Sequence, residues 1–172
     1  MNYGKFANRD KIWDMKSSDI TSSCPINYTL ETLGNRWALL IVRDIALYGK
    51  RTYGEFLHSE EGVTTSMLAD RLLALEREGI ITKKRSTTDR RKEIYDLGEK
   101  GRTLIPVLLE LSNWGMHENG LAELNPAWIE QIETKRDTLL PLIYETLDEG
   151  GSVFAGEGSV VQKLAIQIHL SR

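Results

Sequence analysis

The apolar positions of this chain change their period partway along it. Pro25 suits the first residue of a helix, because its missing N–H would have no partner there, and Gly34 stops that helix after Leu33. From Trp37 the apolar residues recur at 37, 40, 41 and 45, which predicts a second helix to Leu47 with Gly49 behind it. Thr52, with Glu55 three residues on, reads as a capping box opening a short third helix from Tyr53 to His58. Gly62 breaks that element and Thr64 opens a fourth, residues 65–78. There Leu68, Leu72 and Leu75 form one apolar stripe, and Gly79 ends the helix. Past Gly79 the pattern becomes strand-like. Residues 80–85 and 92–97 predict two strands joined by the polar run Ser86 to Arg90, a β-hairpin with a basic tip.

The second half is helical again. A long helix is expected over residues 99–118, kinked at Pro106, with Leu104, Val107, Leu108, Leu111 and Trp114 on a wide apolar face. That face either packs on the chain's own core or forms a dimer seam; the little core left by a small domain favours the seam. Pro126 starts a further helix to about Leu147. Gly150, Gly151, Gly156 and Gly158 suggest a flexible connector, and residues 160–170 fit either helix or strand. The third helix, the short turn around Gly62 and the fourth helix have the spacing of the two helices of a helix-turn-helix, with the hairpin behind them as a wing. The fold class expected is mainly α with a small β-hairpin (α+β): a winged helix-turn-helix with long C-terminal dimerisation helices. Its expected divisions are an arm (1–23), a winged-helix domain (24–98), a dimerisation helix (99–118) and a C-terminal helical extension (119–172).

Composition narrows the function. With 172 residues, 41% hydrophobic and 27% charged, the chain is globular. Its one Cys allows neither an internal disulfide nor a Cys-cluster zinc site. The run Trp37 to Val42, bracketed by Arg36 and Arg43, falls far short of the roughly 20 apolar residues of a membrane span. Charges fill the N-terminus where a signal peptide would be apolar, so a cytoplasmic protein is expected. His58, His117 and His169 lie in separate segments, and no phosphate loop or paired catalytic group occurs. No enzyme, metal or cofactor is expected.

The net charge of −3 argues against a nucleic-acid binder until it is divided along the chain. Residues 99–172 carry net −5, whereas residues 24–98 carry net +1. Within the latter, Lys83, Lys84, Arg85, Arg90, Arg91 and Lys92 crowd onto the hairpin against Asp89 alone. Six like charges on one ribbon repel one another, so folding gives no reason to gather them; a phosphate backbone does. A solubility patch is the alternative. Lys50 and Arg51, ahead of the third helix, are further phosphate candidates. With the Leu stripe turned inward, the fourth helix presents Ser66, Met67 and Asp70 outward, with Thr64, Thr65 and Arg71 beside them, as a recognition helix would. An ordinary solvated face is the alternative there.

At this point the residues support a family resemblance. Cys24-Pro25-Ile26, then Leu33-Gly34-Asn35-Arg36-Trp37, then Gly49-Lys50-Arg51-Thr52-Tyr53-Gly54-Glu55-Phe56 resemble the opening of HxlR-type winged-helix transcription regulators. Leu68-Ala69-Asp70-Arg71-Leu72, Leu75-Glu76-Arg77-Glu78-Gly79-Ile80, Tyr95-Asp96-Leu97 and Leu104-Ile105-Pro106-Val107-Leu108 follow in order. The resemblance spans about residues 24–118. It implies a bacterial homodimer that binds double-stranded DNA at a pseudo-palindromic operator, reading the groove with residues 65–71 and the backbone with the 83–92 wing. Two departures stand out: Gly98 replaces the usual Thr, a weaker N-cap, and the wing is unusually basic. Some family members sense oxidants through a Cys in the Cys-Pro context, so Cys24 is a redox-sensor candidate, with a buried structural Cys as the alternative. A small-molecule or electrophile effector fits the same reading. The rival is a protein-interaction or small-ligand-binding module that uses the C-terminal extension; a wing or recognition helix covered by that extension would favour it.

Overall fold

The computed structural model describes residues 23–167. They fall in two units divided at Gly34 and Asn35. In the first, α1 (Pro25–Leu33) has Pro25 in its first turn and ends where the Gly34 N–H donates to the Leu30 carbonyl (2.9 Å). All of the arm expected over residues 1–23 except Ser23 lies outside the described residues.

The second unit is built around α2 (Arg36–Tyr48). Asn35 caps it by accepting the Trp37 N–H, and Trp37, Ala38, Ile41, Val42, Ile45, Ala46 and Leu47 are all buried. A helix apolar on nearly every side belongs at the centre of its domain. Against it pack α4 (Thr65–Arg77) and the antiparallel hairpin of β1 (Ile81–Arg85) and β2 (Glu93–Leu97), in register Ile81 to Leu97 and Arg85 to Glu93. The short α3 (Tyr53–Leu57) carries the complete Thr52–Glu55 capping box. Phe56 meets Tyr95 edge-on at 5.8 Å, and the Tyr95 N–H donates to the Arg51 carbonyl (2.7 Å). The segment before α3 therefore runs beside β2, a pairing the sequence pattern does not announce.

Downstream, three expectations are corrected. The helix expected over 99–118 is two: α5 (Glu99–Arg102), then α6 (Ile105–Glu118), with Pro106 in the first turn of α6 rather than at a kink. Pro costs nothing there, since a first-turn N–H has no intrahelical partner. The helix expected over 127–147 is likewise divided, into α7 (Pro126–Thr134) and α8 (Arg136–Asp148), with Lys135 between them. The glycine-rich stretch is an anchored strap. The Val153 and Phe154 N–H groups donate to the Ala46 and Leu47 carbonyls (3.1 and 2.8 Å), satisfying acceptors that the end of α2 leaves open. Val153 and Val160 are fully buried. A short α9 (Val160–Lys163) follows; residues 168–170 of the expected last element lie outside the described residues.

Gly98 provides no side-chain cap to α5, but its smallness is needed. A Cβ at Gly98 would collide with the Gly79 carbonyl oxygen, and one at Gly101 with that of Ile80. The start of α5 therefore lies directly on the backbone leading into β1. Among the described residues, no helix is long and apolar enough to cross a membrane, and no His, Cys, Asp and Glu cluster is placed to hold a metal.

Candidate nucleic-acid interface

Thr64 caps α4 by accepting the Met67 N–H, and Leu68, Leu72 and Leu75 bury the inner stripe. The opposite face, Thr64, Thr65, Ser66, Met67 and Asp70, is exposed, with Arg71 half-buried. The Tyr53 hydroxyl donates to the Thr65 carbonyl (2.8 Å), fixing α3 against the first turn of α4. The N-terminal end of α4 thus projects uncovered, with its unpaired N–H groups and positive dipole end.

Beside α3 lies a groove of about 830 Å³, lined by Thr52, Tyr53, Gly54, Glu55 and His58 on one wall and by hairpin residues on the other. Arg85, Arg90, Arg91 and Lys92 supply the cations of the hairpin wall, opposed by Glu55 and Glu93. Among the described residues, no carboxylate pairs with Arg85, Arg90 or Lys92. Arg91 is held by Asp89 (3.1 Å), whose carboxyl is lowered by that bond. Lys84 is exposed one residue off the Lys83–Arg85 face of the strand. Lys83 is committed to Glu76 (3.3 Å) and Glu93 (3.5 Å), and its pKa is raised by the Glu76 contact. Tyr95 lies at the base of the groove, its hydroxyl pushed up to about 12 by burial and by Glu93.

Lys50 and Arg51 do not join this surface. The Lys50 ammonium bonds Asp44 (2.9 Å) and the Ser59 hydroxyl (2.7 Å), while Arg51 donates to the carbonyls of Ile45 (2.7 Å) and Gly151 (3.3 Å). Their expected phosphate role is corrected: both hold the fold together. Asp44 is 2% exposed and needs such partners, which also include Arg43 and the Ser59 hydroxyl (2.5 Å). Arg43 reaches on to Glu61. Burial lowers the Arg43 pKa, but the bonds to Glu61 and Asp44 outweigh it and raise the pKa. The same Arg43 hydrogen bond holds the Glu61 carboxyl down to about 2.

On α6, Val107, Leu111 and Trp114 are 40%, 48% and 68% exposed and form one stripe at i, i+4 and i+7. Leu108 turns the other way into the chain's own core, at 7% exposed, and Leu104 is half-buried. In the first unit, Cys24 is exposed at the N-cap of α1, with no side-chain cap bond. The Thr52 to His58 wall of the groove was missed by sequence reasoning. The capping box was its only local sign, and the hairpin faces it only in three dimensions.

A buried trihelical core, an uncovered second helix of a helix-turn-helix and a basic β-ribbon together define a winged helix-turn-helix. The sequence profile of the HxlR-like helix-turn-helix family matches residues 32–122, and the chain belongs to that family. It is 35% identical over 99 residues to the HTH-type transcriptional regulator YdeP of Bacillus subtilis (strain 168), covering 58% of this chain and 77% of that protein. A second B. subtilis (strain 168) regulator of this type, YdzF, is 29% identical over 106 residues, covering 62% and 97%. Among solved structures, PA1607, a putative transcription factor, superposes with a TM-score of 0.52 at 34% identity, covering 59% of this chain and 69% of its own. The putative HTH-type transcriptional regulator ytcD superposes at 0.50 with 27% identity, covering 56% and 98%. The family match stops at residue 122, so the strap and α7, α8 and α9 lie beyond it.

Proposed function

We propose that this protein is a homodimeric, sequence-specific DNA-binding transcription regulator. The observation that carries this reading is that Arg85, Arg90 and Lys92, which form no ion pair with a carboxylate among the described residues, line one groove of a helix-turn-helix protein. Cations without protein partners at a surface attract phosphate, and neutralising phosphates releases counterions. Thr64, Thr65, Ser66, Met67, Asp70 and Arg71 read base edges in the major groove, while Lys84, Arg85, Arg90, Arg91 and Lys92 grip the flanking backbone. The α6 stripe of Val107, Leu111 and Trp114 is the seam between two copies. A two-fold dimer then presents recognition helices to half-sites of a pseudo-palindromic operator about 34 Å apart. A wing or recognition helix covered by the extension would have favoured the rival, a protein-interaction or small-ligand-binding module, and both are exposed.

Fluorescence anisotropy tests the reading: reduced protein is titrated against DNA from upstream of its own gene and against random DNA at 50 and 200 mM salt. Preference for the upstream sequence with a steep loss at high salt is expected. Equal, salt-insensitive binding would overturn it. The redox role of Cys24 belongs to the same proposal: diamide should release DNA from the wild type and not from Cys24→Ser.

A further inference from the structure

Between α2, α6 and the strap lies a second cavity, of about 350 Å³. Its walls include Leu40 and Leu47 of α2, Leu108 and Leu111 of α6, and the rings of Trp128 and Phe154. This volume is at the small end of ligand sites, which run from roughly 300 to 1,000 Å³. Trp128 and Phe154 come from beyond the family match, so the cavity is completed by what this chain adds to the family fold.

Its chemistry selects a ligand class. The one cation on its walls among the described residues is Arg43, whose guanidinium is already neutralised by Asp44 and Glu61. A charged guest would be desolvated without a counter-ion, so the guest is neutral. Trp128 is 1% exposed and its indole Nε1 is buried away from the cavity, so its ring gives the cavity an apolar wall. The Ser112 hydroxyl, also on the wall, donates to the Met116 sulfur at 3.7 Å, a weak acceptor that an oxygen would displace. The rings are mutually tilted, Trp128 on Phe154 at 72° and Tyr48 on Phe154 at 58°, and give a guest aromatic edges and faces. We propose that this cavity binds a neutral one- or two-ring aromatic molecule bearing a hydroxyl or carbonyl oxygen, which acts as the effector of the regulator.

The effector role rests on the regulator reading above. It follows from two shared residues. Leu111 lines the cavity and also belongs to the exposed α6 stripe. Arg43 lines it and also holds Glu61, in the loop leading to the Thr64 cap of α4. A guest therefore touches what sets both the seam and the recognition helix.

The probe is 2-naphthol, titrated calorimetrically into the full chain and into Gly115→Leu. Gly115 lines the cavity on α6, and a Cβ there meets nothing within 4 Å. Leu also favours helix over Gly, so this variant folds while filling the space. One saturable site per chain is expected, weakened at least tenfold in Gly115→Leu and roughly fivefold in Ser112→Ala, which loses the hydroxyl donor. An absence of saturable binding to the wild type would overturn the proposal. Binding unchanged in Gly115→Leu would overturn it too. A DNA affinity that 2-naphthol shifts in the wild type and not in Gly115→Leu supports the effector role; an unshifted wild type refutes it. A chain that binds no DNA fails the regulator reading alone, since the calorimetric comparison still judges the cavity.

Discussion

Two clusters of cations lie within this winged helix, and from sequence they look alike. Arg43 and Lys50 surround the buried Asp44 carboxylate and donate to it, to Glu61 and to Ser59, while Arg51 donates to the backbone carbonyls of Ile45, Lys50 and Gly151. Arg85, Arg90 and Lys92 line an open groove with no carboxylate partner among the described residues. The first cluster is neutralised inside the protein and contributes to folding; the second has no such partner among the described residues, and we propose that it holds phosphate. Partners, not residue types, separate a structural cation from a binding one.

Breaking the first cluster should have the largest effect. Asp44→Ala leaves Arg43, Lys50 and Ser59 without their shared acceptor, and urea unfolding should show a loss of about 3 kcal/mol. Lys50→Ala should cost about 1–2 kcal/mol, because Arg43 still faces Asp44, and should leave the salt dependence of DNA binding unchanged. A change in that salt dependence would return Lys50 to the DNA surface.

Acid should probe the same cluster. The folded Glu61 carboxyl sits at about 2, below its ordinary value of 4.5. A depressed acid stabilises the folded state above the unfolded value, and that contribution is lost as pH falls from about 4.5 towards 2. Urea midpoints followed through this window should fall less steeply for Glu61→Gln than for the wild type. The smallest effect separates two neighbours on the wing. Arg91 is already held by Asp89, so Arg91→Ala should lower the salt slope of DNA binding less than Arg90→Ala does.

Much of the winged helix was legible because local chemistry bounds its elements. Pro25, Thr52 with Glu55, Thr64 and Gly79 mark starts and stops that the structure keeps within a residue or two. The exposed face of α4 followed from the Leu68, Leu72 and Leu75 stripe for the same reason. What stayed hidden depends on distant residues. The breaks at Thr103–Leu104 and Lys135 have no Gly or capping signal, and the glycine-rich strap reads as loose until Ala46 and Leu47 offer it their carbonyls. Lys50 and Arg51 could not be sorted from the wing cations, because Ser59, Gly151 and Asp44 meet them only after folding. Leu108 shared the apolar pattern of its neighbours on α6, and which of them faced inward was settled by tertiary packing.

The central claim is that the unpaired wing cations are the ones that hold DNA. Its most direct test is the slope of log affinity against log salt for the wild type, the triple variant Arg85→Ala, Arg90→Ala, Lys92→Ala, and Lys50→Ala. The triple variant should flatten the slope by about 0.9 for each phosphate it no longer neutralises, while unfolding in urea within about 0.5 kcal/mol of the wild type. A slope unchanged in the triple variant, or flattened equally by Lys50→Ala, would contradict the account.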